Sequence, residues 1–170
     1  MLARNIAKSM IERKHLNAWQ LQKLLFYSQA LSLHLNNTVL FDDDIEAWKD
    51  GPVVRDVFYL YKSGELQYAN SVEKDNTIIQ LILDYSFKYF GKNTGKALRN
   101  MTHIENGAWD RVVKEKNIQY FEIERYNIPL TYIKDEISLY PNIIEELAKA
   151  AIIDPKYVNQ KHINKLMEVL

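Results

Sequence analysis

The chain has 170 residues, enough for one domain that buries its own core, and 47% of them are hydrophobic, which argues against global disorder. It has no cysteine, which excludes disulfides, thiolate metal sites and a cysteine nucleophile and makes a reducing cytoplasm the expected compartment. Its 22 basic residues balance its 22 acidic ones, so the total charge gives no sign of a strongly basic nucleic-acid binder.

Charges from Arg4 onward break up the start too early for a signal peptide. No apolar run approaches the roughly 18 residues that a membrane-spanning helix needs, so no membrane partner is expected. The first helix is expected over about Leu2 to Lys14, with Leu2, Ile6 and Met10 on one face. The next has a strong start: Asn17 as cap, Gln20 three residues on to complete a capping box, and Leu16 with Leu21 as a hydrophobic staple. It should run to about Asn36. Leu21, Leu24, Leu25, Ser28, Leu31 and Leu35 form one stripe while Phe26, Ala30 and Leu33 lie on another side, which marks this as the most buried helix.

The pattern then shortens. Val39 to Phe41 and Ile45 to Trp48 read as two extended pieces around the acidic turn Asp42-Asp43-Asp44. Lys49 to Pro52 read as a further turn, with Pro52 opening a helix from Val53 to Lys62 that stops at Ser63-Gly64. Residues 65–75 read as loop. Asn76 caps a helix from Thr77 to Phe90, where length favours helix over the β-rich composition. Short helices follow over Thr94 to Met101 and Gly107 to Lys116. Residues 117–127, with Ile118, Tyr120 and Phe121, suit a strand or a packed loop. Leu130 to Tyr140 reads as helix, Pro141 opens another to about Ala151, and Asp154-Pro155 starts the last, with Ile153 and Val158 as a staple. The sum is a mainly α fold: a compact helical domain with a small β element and a C-terminal helical hairpin.

Three segments together resemble the Panacea domain, also known from phage-associated GepA-like proteins and from SocA-like antitoxins. The first is Leu21-Gln-Lys-Leu-Leu-Phe-Tyr-Ser-Gln-Ala30. The second is Leu40-Phe-Asp-Asp-Asp-Ile-Glu-Ala-Trp-Lys-Asp-Gly-Pro-Val-Val54, followed by Tyr59 and Tyr61-Lys62. The third is Thr102-His103-Ile104-Glu105 with Trp109, where Trp109 stands one residue later than in the family's form and Gly107-Ala108 replace a usual proline. The resemblance spans about residues 2–140, so residues 1–140 are read as the domain and 141–170 as an extension. It implies a compact helical fold, no cofactor and no catalytic residues. It also implies an antitoxin that binds a cognate toxin encoded beside it, in some members by delivering that toxin to a bacterial protease.

The residues themselves leave several readings open. Trp48 can plug the core, Gly51 can supply a backbone angle other residues avoid, and Pro52 with Val53 can start a helix; alternatively this turn presents a surface to a partner. His103 and Glu105 are the one pairing suggestive of general-base or metal chemistry, but their spacing of two does not share a helix face. The plainer reading ends one helix at Thr102 or His103 and caps the next with Glu105 or Asn106. Lys88, Lys92, Lys96 and Arg99, with Arg111, Lys114 and Lys116, make either a basic face for nucleic acid or for an acidic toxin, or a solvated surface. Tyr59, Tyr61 and Tyr68 suit either a core or an interface. The apolar side of residues 142–170 must pack on the domain, on a second copy in a homodimer, or on the toxin.

Overall fold

The computed structural model describes residues 1–119 and 125–153 of the chain. The expected cap at Asp154-Pro155, the helix after it, and the readings of Tyr120 and Phe121 lie outside those residues. Within them the fold is mainly helical, with eight α-helices and a single two-stranded antiparallel sheet.

The helices are arranged about α2 (Ala18–Asn36), which follows α1 (Ala3–Arg13). Asn17 Oδ1 accepts from Gln20 N at 2.9 Å, and Gln20 Oε1 accepts from Asn17 N at 3.2 Å, so the expected capping box forms. Leu16 and Leu21 are buried beside it. Every residue from Leu21 to Leu33 is buried. A helix apolar on all sides must be covered on all sides, and α1, α3 (Arg55–Ser63), α4 (Thr77–Tyr89), α5 (Gly95–Thr102) and α7 (Leu130–Glu136) all pack on it. Leu2 departs from expectation. Ile6 and Met10 are fully buried, but Leu2 is 43% exposed because it precedes α1 as its cap residue rather than joining its face.

Most remaining elements start where their caps predict. Asn76 Oδ1 accepts from Ile79 N at the start of α4, and Thr94 Oγ1 accepts from Ala97 N at the start of α5. Gly64, in the left-handed region, ends α3. Glu65–Tyr68 forms a 3-10 turn within the expected loop. The others are α6 (Ala108–Glu115), a 3-10 turn at Ile137–Leu139 that continues α7, and α8 (Pro141–Ile153), which opens on its proline and sends Leu147 into the common core.

The sheet corrects the sequence reading. Its strands are β1 (Glu46–Trp48) and β2 (Gly51–Val53), with Glu46 opposite Val53, Ala47 opposite Pro52 and Trp48 opposite Gly51. Lys49-Asp50 is therefore the hairpin turn, and residues 39–41 are not a strand. The backbone of Leu40 and Phe41 is paired instead by a side chain, Gln29 of α2. Pro52 does not open a helix; α3 starts at Arg55. Opposite Pro52, the N–H of Ala47 turns away and donates to the carbonyl of Tyr126 at 2.8 Å, so the N–H that proline lacks leaves no cross-strand bond unmade. Ile128 N donates to Ile45 O at 2.7 Å, and Asn127 bridges to Glu46, which covers the outer edge of β1.

Candidate functional site

The polar residues within the apolar run of α2 hold backbone. Gln22 grips Val54 in both directions, accepting from its N–H at 2.8 Å and donating to its carbonyl at 3.2 Å. Gln29 accepts from Leu40 N at 2.8 Å and Phe41 N at 3.2 Å and donates to Phe41 O at 3.0 Å. Lys23, only 2% exposed, donates from Nζ to Pro52 O at 3.0 Å. Burial pushes the Lys23 ammonium down to about 7, against a partly opposing pull from Asp50. Both ends of residues 40–54 are thus fastened to one helix, and the first two sequence segments are one structural unit.

The third segment closes on the same hairpin. Trp109, 9% exposed, donates its indole N–H to Trp48 O at 2.8 Å. Arg99 on α5 pairs with Asp50 of the hairpin turn at 2.8 Å. Gly51 sits at φ +100°, and a Cβ there would lie 2.7 Å from Thr102 Oγ1 and 3.0 Å from Lys23 Cε, so both conformation and space require glycine. Pro52 and Val53 are buried beside it. Trp48 does not plug the core. It is half-buried on the hairpin, its indole N–H donates to the buried carboxylate of Glu46 at 2.6 Å, and its ring meets Phe58 edge-on at 5.2 Å. Glu46 also pairs with Arg55. Trp48, Phe58, Trp19 and Lys23 line a small cleft of about 190 Å³ between the hairpin and the start of α2.

His103 and Glu105 do not converge. His103 caps α5, with Nδ1 2.6 Å from Arg99 O and Nε2 3.3 Å from Lys49 O, and its ring lies 3.8 Å from that of Trp109. Burial holds its pKa below the ordinary histidine value. Glu105 is exposed and faces Lys114 at 3.9 Å. The histidine is a link between α5 and the hairpin turn, with both ring nitrogens against main-chain carbonyls, rather than one half of an acid–base pair.

Nor does Glu105 or Asn106 cap α6. The cap comes from a distant helix: buried Glu136 of α7 accepts from Ala108 N at 2.7 Å. Burial raises the Glu136 carboxyl to about 7. Tyr140 Oη lies 3.5 Å from its other oxygen and 2.9 Å from Tyr27 Oη, and Tyr27 stacks on Phe90 at 3.8 Å. Gln22, Lys23 and Gln29 stand in the first segment with no role assigned to them there, and Glu136 stands in none of the three segments. The first three had a usable signal, since a polar side chain on a helix apolar all round must find a buried partner. Glu136 had none, because its partner is 28 residues away.

The cations of the supposed basic face are largely paired. Lys88 meets Glu146 at 2.8 Å, Arg99 meets Asp50, Arg111 meets Asp135 at 3.0 Å and Lys114 meets Asp110 at 2.8 Å. The tyrosines divide. Tyr61 is half-buried and donates to Leu16 O at 2.8 Å, tying α3 to the turn before α2. Tyr59 and Tyr68 point outward, 51% and 80% exposed.

These features define a class: a helical scaffold in which one buried helix holds a short hairpin by its backbone and a tryptophan-bearing segment locks it from the far side. Residues 21–110, more than half of the chain, match the family described as antitoxin SocA-like, Panacea domain. The chain belongs to that family, whose role is of the antitoxin type. The matched span holds all three segments and the hairpin's contacts with α2, α5 and α6, while the cover of its outer edge by residues 126–128 lies beyond it. No curated protein and no solved structure matches the chain. No helix among the described residues is long and apolar enough to cross a membrane.

Proposed function

We propose that the protein is the antitoxin of a toxin–antitoxin pair and neutralises its cognate toxin in the cytoplasm by direct protein–protein binding, without catalysis. The observation that carries this reading is the family match across residues 21–110. The geometry agrees with it: the polar residues of the matched segments hold the scaffold's own backbone and leave the outer surfaces to meet a partner. Loops and helix faces fixed by a rigid core are where binding surfaces are commonly built.

The test is growth. Each protein encoded beside this one is expressed alone and together with it, and colony formation is counted. One neighbour should be toxic alone and harmless in the pair. If no neighbour is toxic, or if toxicity persists in the pair, the reading falls. Following the toxin's cellular level separates two routes: an unchanged level means blocking, and a level that falls only while proteases are active means delivery for degradation.

A further inference from the structure

Exposed large apolar side chains are unevenly placed on this molecule. Of the eight among the described residues, five line grooves on one side, Leu2, Val39, Tyr59, Tyr68 and Leu130, and Met1 lies beside them against Asp42. Three grooves join them. The first, of about 630 Å³, runs between the start of α1 and α3, with Leu2 and Tyr59 in its walls. The second, of about 410 Å³, shares Arg4, Leu60 and Glu65 with the first and ends at Tyr68. The third, of about 430 Å³, shares Asp43 with the first and runs to Val39 and Leu130. Shared lining residues make the three one continuous surface. The other two exposed side chains, Trp19 and Ile78, line none of these grooves.

The charge on this surface is one-sided. Asp42, Asp43, Asp44, Asp56 and Glu65 line it, against Arg4 and Lys62. Asp42 is matched by the amino terminus at 2.6 Å, and Asp43 accepts from Ala3 N at 2.7 Å. Asp56 and Glu65 have no ion pair among the described residues, and Lys62 Nζ lies 5.4 Å from the centre of the Phe58 ring. Contiguous exposed apolar surface with a polar rim marks interaction sites, tyrosine is enriched in interfaces, and unpaired carboxylates at a rim draw in cations. The same carboxylates repel phosphate, which excludes a nucleic acid here.

Building on the antitoxin reading, we infer that this acidic face of α1, α3 and the Asp42–Asp44 turn is where the toxin docks, and that the segment it receives is basic and amphipathic, with lysines or arginines interleaved among large apolar side chains. The apolar side chains fill the grooves beside Leu2, Tyr59 and Leu130. The cations meet Asp56 and Glu65.

The experiment is co-purification of the tagged full chain with each protein encoded beside it, in parallel with the growth assay. Wild type is compared with Asp56→Asn/Glu65→Gln, with Tyr59→Ser/Tyr68→Ser, and with Ile78→Ser as a control away from the grooves. All five positions are at the surface, so unchanged thermal midpoints establish that each variant is folded. The proposal expects each double variant to recover at least roughly tenfold less partner, as loss of anchor or steering residues does. It also expects wild-type recovery to fall with added salt, the Asp56/Glu65 variant to lose that dependence, and Ile78→Ser to match wild type. Wild type that neutralises a neighbour while both double variants bind it within about twofold overturns the docking face and leaves the antitoxin reading standing. Wild type that neutralises no neighbour overturns both.

Discussion

Two regions of this molecule place polar groups on an apolar background, and they do so to opposite ends. Around α2, Gln22, Lys23 and Gln29 are buried and each is taken up by main-chain atoms of residues 40–54. Around α1 and α3, Asp56 and Glu65 stand at the rim of open grooves with no ion pair among the described residues. The first region is built from the cores of the segments that identify the family, and the second shares with them residues 41–45, Tyr59 and Lys62. The contrast teaches that a recognisable motif can be the signature of a scaffold. A buried polar clamp tolerates little change because an orphaned backbone group is costly, whereas a docking surface is free to follow its partner.

The sharpest way to break the comparison is at Gln29. Replacing it with Ala strips partners from Leu40 N, Phe41 N and Phe41 O together. At roughly 1–3 kcal/mol for each buried group left unsatisfied, Gln29→Ala should cost on the order of 4 kcal/mol in urea denaturation. A loss under about 1 kcal/mol would mean that water replaces the side chain and that the segment is not held by α2.

Gly51→Ala should come next, at about 3 kcal/mol, from a disfavoured positive φ plus overlap with Thr102 Oγ1 and the Lys23 side chain. The loss should shrink in a Gly51→Ala/Thr102→Ala double variant, which removes the closest contact and leaves the conformational part. Additive costs would show that the contact with Thr102 is not what confines this position.

How far this hub was legible in the sequence depends on how local its causes are. The capping box of α2 lies within four residues and could be read directly, as could the requirement for glycine at position 51. The strands could not. Val39 to Phe41 has β-type residues, but Gln29 of α2 takes the place of a partner strand. Proline's fixed φ suits both a helix start and an extended strand, and only the direction of the Ala47 N–H, set by Tyr126 from far along the chain, separates the two. Thr102-His103-Ile104-Glu105 suggested chemistry because spacing says nothing about direction: His103 turns toward the hairpin and Glu105 toward solvent. The docking face has no single pattern in the sequence, since its residues come from the start of α1, from the acidic turn, from α3 and the turn after it, and from α7.

A third, smaller effect separates the buried region from the surface by pH. Glu136 holds its proton up to about 7 in the fold against an ordinary 4.5, so its contribution is full below pH 4.5 and is lost as pH rises through about 7. Lys23 has the opposite sign: its folded value of about 7 against 10.5 means that its contribution is full above pH 10.5 and is lost as pH falls through about 7. Together they place a minimum of stability near neutrality. In urea titrations from pH 5 to 10, Glu136→Gln should flatten the acid limb and Lys23→Met the alkaline one. Limbs that persist in both variants would assign the dependence to other groups.

The smallest effect sharpens the comparison from the other side. Tyr68 is 80% exposed, with no hydrogen bond or ring contact to the rest of the described chain. Its loss should therefore leave the fold unmoved. Tyr68→Ser should change unfolding free energy by less than about 0.5 kcal/mol, since a surface substitution away from caps, cavities and buried polar groups removes little that the unfolded chain does not also lack. The same measurement on Tyr61→Phe, which removes only the hydroxyl that reaches Leu16 O, should cost about 1 kcal/mol. Two tyrosines seven residues apart would then differ by their place in the fold alone: one fastens α3 to the core, and the other is held out where only a second molecule can use it. Equal costs at the two positions would mean that Tyr68 is packed against the chain's own residues, and the outer face would lose one of its two exposed tyrosines.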